Sequence, residues 1–308
     1  LIEKNIVKSR SIPILFPTSL EALPFFTRPK RDGFHKSLNQ TFTATGRLSS
    51  SDPNLQNIPV RTAEGRQIRS LFVPGPGYDC FISSDYSQVE LRVLAHMSGD
   101  ESLIRAFRNK EDIHRRTAAE VLGIPFEEVT SEQRSHAKAV NFGIIYGISD
   151  FGLANQLSIS RGEAGAYIKK YFERYPYIHA FMKSMVEDAQ KSGRAKTLFG
   201  RYRELPDIRS SNFNRRSFAE RTAMNTPIQG TAADIMKLAM IEVSRRIKEE
   251  GYKSRVLLQV HDELVVEAVS EEKENLKTLL KETMESVVEL KVPLIADVHE
   301  GKNWAEAK

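Results

Sequence analysis

Two short apolar segments joined by only two residues restrict the fold of this chain more than any other feature. Residues 256–260 (VLLQV) and 263–268 (ELVVEA) are rich in β-branched and aliphatic side chains, and His261 and Asp262 lie between them. Two strand-like runs with a two-residue connection predict a β-hairpin. The chain is therefore expected to contain an antiparallel sheet.

A third apolar segment, residues 78–84, ends at Asp85 and predicts another strand. Asp85 and Asp262 are each a lone carboxylate at the end of an apolar strand. If the two strands are neighbours, the carboxylates can jointly hold two divalent cations about 3.5–4 Å apart, as in nucleotidyl transfer. Oxygen ligands favour Mg²⁺ or Mn²⁺ over Zn²⁺. The alternative, that both aspartates are turn or cap residues, stays open on this pattern alone.

A helix with two different faces is predicted from Thr130 to Gly147, and Thr130 and Gln133 fit a capping box at its start. At about 100° per residue, one face is apolar and consists of Ala137, Val140 and Ile144. The other face carries two cations and two rings: Arg134, Lys138, Phe142 and Tyr146. Cations one turn apart suit a triphosphate and the rings suit a sugar and a base, although a merely solvated face is the alternative.

Two other segments have compositions that suit nucleic acid. Residues 190–221 contain nine basic and three acidic side chains, with four aromatic residues among them. This combination is typical of phosphate contact with base stacking, and a solvated surface is the equal alternative. Residues 34–59 are rich in Asn, Gln, Ser and Thr, which either read groove edges and phosphates or form an ordinary surface loop.

A helix is predicted after the third apolar segment. It covers about residues 88–98 and ends at Gly99, and Ser87 and Glu90 have the spacing of a capping box. Residues 103–190 are predicted to be rich in helix.

A further helix is predicted to begin at Thr231 and Asp234 and to end at Gly251. Its apolar stripe consists of Ile235, Ala239, Val243 and Ile247.

Composition and charge exclude several classes of protein. The 308 residues carry a net charge of +5, and 40% of them are hydrophobic. No apolar run approaches the ~20 residues of a membrane helix, and the N-terminus lacks the pattern of a secretion signal. We therefore expect a soluble, cytoplasmic protein with no membrane partner. The single cysteine, Cys80, is expected to be a buried thiol.

Five separated strings resemble the polymerase domain of the family A DNA polymerases, the family of bacterial DNA polymerase I. The resemblance covers nearly all of the chain from Phe34 to Trp304. The strings are TATGRLSSSDPNLQNIP (43–59), DYSQVELR (85–92), RSHAKAVNFGIIYG (134–147), TPIQGTAADIMK (226–237) and QVHDE (259–263). Agreement over five strings in the family's order is far more specific than any one short motif.

The resemblance implies a catalytic metal site. Asp85 and Asp262 would bind two Mg²⁺ ions, for which Mn²⁺ can substitute, and the backbone carbonyl of Tyr86 would be a further ligand. Glu263 would be a supporting carboxylate close to them. Lys138 would also donate a proton to the departing pyrophosphate.

The resemblance also implies contacts to an incoming deoxynucleoside triphosphate (dNTP) and to DNA. Arg134, Lys138 and His114 would contact the phosphates of the nucleotide, and Gln88 would also bind it. Phe142 would stack on the sugar and base, and Tyr146 would lie at the place of the templating base. Glu90 would be a steric gate against ribose. The primer-template duplex would be contacted by Arg47, Asn54, Gln56, Asn57, Arg203, Gln229, Gln259 and His261.

The implied fold is α+β, a palm with an antiparallel sheet and flanking helices plus a mostly helical fingers insertion. The palm would comprise residues 33–100 and 215–308, and the fingers residues 101–214. Residues 1–32 contain four prolines and are expected to be an irregular linker or a thumb remnant. The leucine at position 1 favours a processed or truncated chain.

The implied function is template-directed DNA synthesis by two-metal nucleotidyl transfer, without proofreading or 5′ nuclease activity in this chain. A second chain would then supply the thumb and exonuclease domains. The alternatives are a non-catalytic DNA-binding or assembly subunit of a split polymerase, a metal-dependent nuclease, and a relative of the single-subunit RNA polymerases.

Overall fold

The structure, a computed structural model, describes residues 37–51, 54–59 and 62–308. The predicted irregular segment at residues 1–32 lies outside the described residues, and so do parts of the polar segment at residues 34–59.

Eight strands form three antiparallel or mixed groups in the described residues. They are β1 (Ser37–Asn39), β2 (Ser49–Ser51), β3 (Cys80–Tyr86), β4 (Arg194–Lys196), β5 (Tyr202–Glu204), β6 (Arg255–Val260), β7 (Glu263–Ala268) and β8 (Ala296–Gly301). β1 pairs with β2 and β4 with β5, while the largest sheet has the order β6-β7-β3-β8.

Ten α-helices accompany these strands in the described residues. They are α1 (Ala63–Ser70), α2 (Val89–Ser98), α3 (Glu101–Arg108), α4 (Ile113–Leu122), α5 (Ser131–Ile145), α6 (Asp150–Leu157), α7 (Arg161–Arg174), α8 (Pro176–Ser192), α9 (Phe213–Glu249) and α10 (Lys273–Ser286). The α+β fold with an antiparallel sheet and a helix-rich middle is confirmed.

The four-stranded sheet brings the two predicted strand regions together. The β6–β7 hairpin forms as predicted, and β7 also pairs antiparallel with β3, so that Asp85 lies opposite Glu263. Every residue of β7 is buried, and in β3 only Asp85 is partly exposed. Burial on both faces explains why these strands are continuous apolar runs without alternation. β3 begins and ends two residues later than predicted, so Asp85 is inside the strand.

The chain divides into two compact units. The first contains the described residues up to 85 together with residues 244–280 and 298–308, and the second contains residues 86–243 and 281–297. These boundaries differ from the predicted palm and fingers boundaries at residues 33, 101 and 215, and that domain assignment stays a prediction. A core cluster in the first unit surrounds Trp304 and includes Phe81, Val265 and Ile68.

The predicted capping box at the start of α2 is wrong. The residue that precedes the helix is Gln88, whose φ of 53° is left-handed, and no side chain caps this helix end. Glu90 instead accepts a hydrogen bond from the Tyr146 hydroxyl. Gly99 ends the helix in the left-handed conformation, as predicted.

The predicted helix start at Thr231 and Asp234 is also wrong, because α9 already begins at Phe213 and continues through Pro227. The Thr231 hydroxyl donates to the Pro227 carbonyl at 2.5 Å, and Asp234 accepts from Arg201 at 2.8 Å. The predicted apolar stripe of this helix is buried, as expected, and Cys80 is a buried free thiol.

Among the described residues, none of the helices combines the length and the apolar character needed to span a membrane.

The segment after β8 depends on a glycine. A Cβ atom at Gly301 would lie 2.4 Å from the backbone nitrogen of Ala307. We predict that Gly301→Ala lowers the free energy of unfolding by about 1–3 kcal/mol, because the backbone must move apart. Gly162→Ala in α7 is the control, since the nearest atom lies at 3.9 Å. Denaturant unfolding of both variants checks this, and equal stabilities would contradict the close approach.

Candidate active site

Three carboxylates lie at one end of the β7–β3 strand pair in the first unit. Asp85 in β3 is directly opposite Glu263, the first residue of β7. Asp262 precedes Glu263 in the hairpin turn, where His261 adopts a left-handed conformation with φ of 56°. The aspartates predicted from strand ends therefore do share one end of the sheet.

Asp262 lies in an electrostatic environment that favours a nearby cation. Burial raises the pKa of its carboxyl group, because the ionised form loses solvation. A backbone hydrogen bond and the nearby basic side chains of Arg47, His261 and Lys308 oppose this shift. The carboxylate is therefore only partly compensated by the protein.

Glu263 is only 2% exposed, and unlike Asp262 it has a protein partner at each carboxylate oxygen. The Ser83 hydroxyl donates to its Oε1 at 2.8 Å, and Nε1 of Trp304 donates to the same atom at 3.1 Å. Nζ of Lys308 lies 3.4 Å from Oε2, and the Arg69 guanidinium is 3.9 Å from that oxygen. The charge of Glu263 is thus compensated within the protein.

The available donor set fits a hard divalent cation. Asp85 and Asp262 provide carboxylate oxygens, the ligands that Mg²⁺ and Mn²⁺ prefer. Within the described part of the chain, no group of three His, Cys, Asp or Glu side chains is arranged to hold a metal ion. A cation here would complete its coordination with main-chain, water or substrate oxygens, which is usual for Mg²⁺.

Several residues predicted to contact DNA surround the same hairpin in the first unit. Nε2 of Gln259 donates to the His261 carbonyl at 2.6 Å, and Nε2 of Gln56 donates to the Gln259 carbonyl at 3.3 Å. Oε1 of Gln259 is buried without a hydrogen-bond partner. Asn54 caps the short 3₁₀ helix Leu55–Asn57, whose last residue is exposed. The structure therefore places several amide groups at the hairpin that contains Asp262, with Gln259 buried and Asn57 exposed.

Helix α5 in the second unit has the two faces that its sequence predicts. The Thr130–Gln133 capping box forms, and the apolar face is buried. Nε of Arg134 donates to Oδ2 of Asp112 at 2.6 Å, whereas Lys138 is exposed. The partner of Arg134 was not predicted. Asp112 also caps α4, and its position before an Ile-His-Arg-Arg helix start is the sequence signal that could have identified it.

His114 lies in a buried polar network behind this face. Nδ2 of Asn141 is 3.1 Å from its Nδ1, and Nε2 of Gln88 is 3.4 Å from its Nε2. Asn141 in turn bonds to Thr117. Burial and the charges of Arg134 and Lys138 lower the pKa of His114 to about 4, so the ring is neutral at physiological pH.

The aromatic end of α5 borders a cleft of about 440 Å³ in the second unit. Phe142, Tyr146 and Arg221 line it. The Tyr146 hydroxyl donates to Oε2 of Glu90 at 3.1 Å, and Glu90 is buried. Gly147 needs its positive φ of 64° here, and a Cβ would lie 2.6 Å from Met224.

The remaining predicted residues lie elsewhere on the second unit. Tyr86 is buried and its hydroxyl donates to the Met284 carbonyl at 2.7 Å. Arg203 is a half-buried residue of β5, and burial lowers its pKa. Gln229 lies on α9. Several arginines of the basic segment at residues 190–221 bond within the protein: Arg194, Arg201, Arg209, Arg216 and Arg221.

Comparison with known proteins identifies the family. The family model described as DNA polymerase family A matches residues 1–306. The chain belongs to DNA polymerase family A. It is 57% identical over 280 residues to DNA polymerase I of Caldicellulosiruptor bescii, 51% over 308 to that of Bacillus caldotenax and 53% over 303 to that of Bacillus subtilis.

These matches cover 91%, 100% and 98% of this family A chain, respectively, and 33%, 35% and 34% of the three relatives. The chain therefore spans about a third of the length of the curated relatives it matches. A solved structure, the POL domain of Pol1 from M. smegmatis in complex with DNA primer-template and dNTP, superposes with a TM-score of 0.90 at 46% identity. That match covers 93% of this chain and 50% of the other.

The buried neutral state of His114 predicts a pH dependence of stability. Its pKa of about 4 in the folded protein lies below its ordinary value of 6.5. Between these pH values the unfolded chain binds a proton and the folded protein does not, so stability is lost as the pH falls. We expect the parent to lose about 2 kcal/mol more than His114→Gln between about pH 7.5 and 5.

Denaturant unfolding at both pH values measures this difference, and an NMR titration of the His114 ring reports its pKa directly. Identical pH profiles for parent and variant would contradict the neutral buried state.

Proposed function

We propose that this chain is the catalytic polymerase part of a DNA-directed DNA polymerase. The reaction is attack of a primer 3′-hydroxyl on the α-phosphate of a template-selected dNTP. The observation that carries the proposal is the placement of Asp85 and Asp262 at one end of neighbouring strands in a family A chain. The complex of the M. smegmatis Pol1 domain with DNA primer-template and dNTP supports the substrate class.

Asp85 and Asp262 are proposed to hold divalent cations, Mg²⁺ or Mn²⁺, with the Tyr86 carbonyl as a further ligand. When bound, such cations would lower the pKa of the primer 3′-hydroxyl and neutralise the charge of the leaving pyrophosphate. The incomplete compensation of Asp262 supports this role. Glu263, which follows Asp262 in sequence and lies opposite Asp85, would support the site without binding the cations.

The exposed face of α5 is proposed to bind the triphosphate. Lys138 is exposed and free to approach a phosphate and to donate a proton to the leaving group. Arg134 would exchange its bond with Asp112 for a phosphate oxygen, which replaces one charge-assisted hydrogen bond by another. His114 and Gln88 would support this end of the nucleotide, and Phe142 would stack on the sugar and base.

Selection of deoxyribose is proposed to depend on Glu90. Its carboxylate is buried and fixed by the Tyr146 hydroxyl at 3.1 Å. A buried side chain has little room to move aside, so it can exclude a 2′-hydroxyl by steric contact. Tyr146, at the cleft, would give up its place to the templating base.

Primer-template DNA is proposed to contact the amide-rich surface beside the hairpin and the residues Arg47, Asn57, Arg203 and Gln229. Amide donors suit a check of base-pair geometry, because every pair presents acceptors in the minor groove. Thumb and exonuclease functions are proposed to come from other parts of a longer protein or from a second chain. A cytoplasmic location is part of the same proposal.

The second candidate is a DNA-binding or assembly subunit without turnover. The amide groups beside Asp262 and the basic segment would serve it equally well. The exposed Lys138, on the face of α5 that is proposed to bind the triphosphate, would have no role in such a protein. Nucleotide incorporation by the purified chain on primed DNA therefore separates the two candidates.

The carboxylate assignment predicts a selective loss of synthesis. Asp85→Asn and Asp262→Asn should each reduce primer extension by about 100-fold or more and change DNA affinity little, because they remove cation ligands and retain side-chain volume. Asp79→Asn is the matched control. Asp79 is exposed, lies next to the opposite end of β3 and accepts a hydrogen bond from the backbone N–H of Ser270.

Single-turnover extension with binding measured on the same duplex checks this. If Asp85→Asn or Asp262→Asn extends the primer as fast as Asp79→Asn does, the assignment of the two aspartates as cation ligands is wrong.

The sugar-selection proposal predicts a different kind of change. Glu90→Ala should accept ribonucleotides about 10-fold or more readily, because space opens where the 2′-hydroxyl lies. Glu90→Gln keeps the volume and a hydrogen-bond acceptor for Tyr146, so it should still reject them. Competition between dNTP and rNTP measures both, and equal selectivity of Glu90→Ala and parent would leave Glu90 with a structural role only.

A further inference from the structure

Trp304 is the only tryptophan of the sequence, and it is completely buried. Its ring meets Phe72 edge-on with centroids 5.7 Å apart, and the Arg69 guanidinium lies 4.0 Å over its face. Its backbone nitrogen donates to the Phe72 carbonyl at 3.0 Å. The indole is therefore fixed on several sides, and its one polar atom has a defined direction.

That polar atom is directed at a carboxylate of the candidate site. Nε1 of Trp304 donates to Oε1 of Glu263 at 3.1 Å, and Ser83 donates to the same oxygen at 2.8 Å. A buried indole N–H normally finds a hydrogen-bond partner, and any neutral acceptor would satisfy it. Here the acceptor is a carboxylate that is adjacent in sequence to Asp262. Two donors from separate elements therefore fix one oxygen of Glu263.

Glu263 is a potential competitor for cations. It follows Asp262 and lies opposite Asp85 in the strand register. A carboxylate there without protein donors would be buried, charged and close to both aspartates, and a divalent cation would be its natural partner. Ser83 and Trp304 both donate to Oε1 of Glu263, and the cations of Lys308 and Arg69 lie near Oε2, so both oxygens already have partners within the protein.

We propose that Trp304 is a positioning residue whose indole N–H, together with the Ser83 hydroxyl, holds Glu263 away from the cation site of Asp85 and Asp262. This inference rests on the proposed function and adds a specific role to a residue outside the five family strings. Trp304 acts through Glu263 and touches no substrate.

The test uses Trp304→Phe, which keeps an aromatic ring and removes the N–H donor, and Ser83→Ala, which removes the other donor. In either variant Glu263 loses one donor and should join the cation site, so Mn²⁺ should bind about 3- to 10-fold more tightly. This is at most the effect of losing one hydrogen bond to a charged group, which corresponds to roughly 10-fold in an equilibrium constant. Electron paramagnetic resonance of free Mn²⁺ measures binding without DNA or nucleotide. In primer extension, kcat should fall while the KM for dNTP stays within about two-fold.

Phe72→Leu is the matched control, because it disturbs the packing of Trp304 and keeps the indole N–H. It should lower thermal stability without tighter Mn²⁺ binding. In a Glu263→Gln background, Trp304→Phe should no longer change Mn²⁺ affinity, because the group through which it acts has lost its charge. The single indole N–H resonance of the parent should also move on Glu263→Gln substitution.

Unchanged Mn²⁺ affinity in both Trp304→Phe and Ser83→Ala would overturn the inference, and so would an equal effect of Trp304→Phe in the Glu263→Gln background. If the parent itself binds no Mn²⁺, the proposed cation site fails and this inference fails with it. If the parent binds Mn²⁺ and both variants bind it with the same affinity, only the role of Trp304 is refuted and the cation site stands.

Discussion

The antiparallel pairing of β3 with β7 determines where every acidic group of the candidate site lies. Its register places Asp85 opposite Glu263, and the two-residue turn of the hairpin places Asp262 directly beside them. A shift by one residue would turn Asp85 to the other face of the sheet. The full burial of β7 makes such a shift costly, because the packed apolar side chains would change faces with it. The hydrophobic sheet thus fixes the positions of the carboxylates.

Glu263 and Asp262 differ in how the protein compensates their charge. Glu263 accepts hydrogen bonds from Ser83 and Trp304 and has Lys308 close by. Asp262 is partly buried, and burial raises its pKa against the effect of the surrounding cations. A carboxylate that the protein leaves incompletely compensated is suited to bind a ligand of opposite charge. This difference supports a division of roles, in which Glu263 maintains the site and the aspartates bind cations.

Local patterns were sufficient to predict the hairpin and helix α5, because short apolar runs, a two-residue turn and a capping box all act within a few residues. Contacts between distant positions were not predictable in this way. Trp304 lies 41 residues from Glu263 and Asp112 lies 22 from Arg134, and only packing brings them together. Local rules also failed where tertiary contacts dominated, since α9 continues through Pro227 and Glu90 bonds to Tyr146 instead of capping α2. The family resemblance named the site residues but left Trp304, Ser83 and Asp112 without a role.

Anomalous diffraction from crystals of the protein with Mn²⁺, a primer-template and a non-reactive dNTP analogue tests the division of roles most directly. We expect Mn²⁺ peaks at coordination distance, about 2–2.5 Å, from oxygens of both Asp85 and Asp262. Glu263 should remain bonded to Trp304 and Ser83 and should have no peak within that distance. Peaks bound by Glu263, or peaks only at positions away from both aspartates, would contradict the assignment of the cation site.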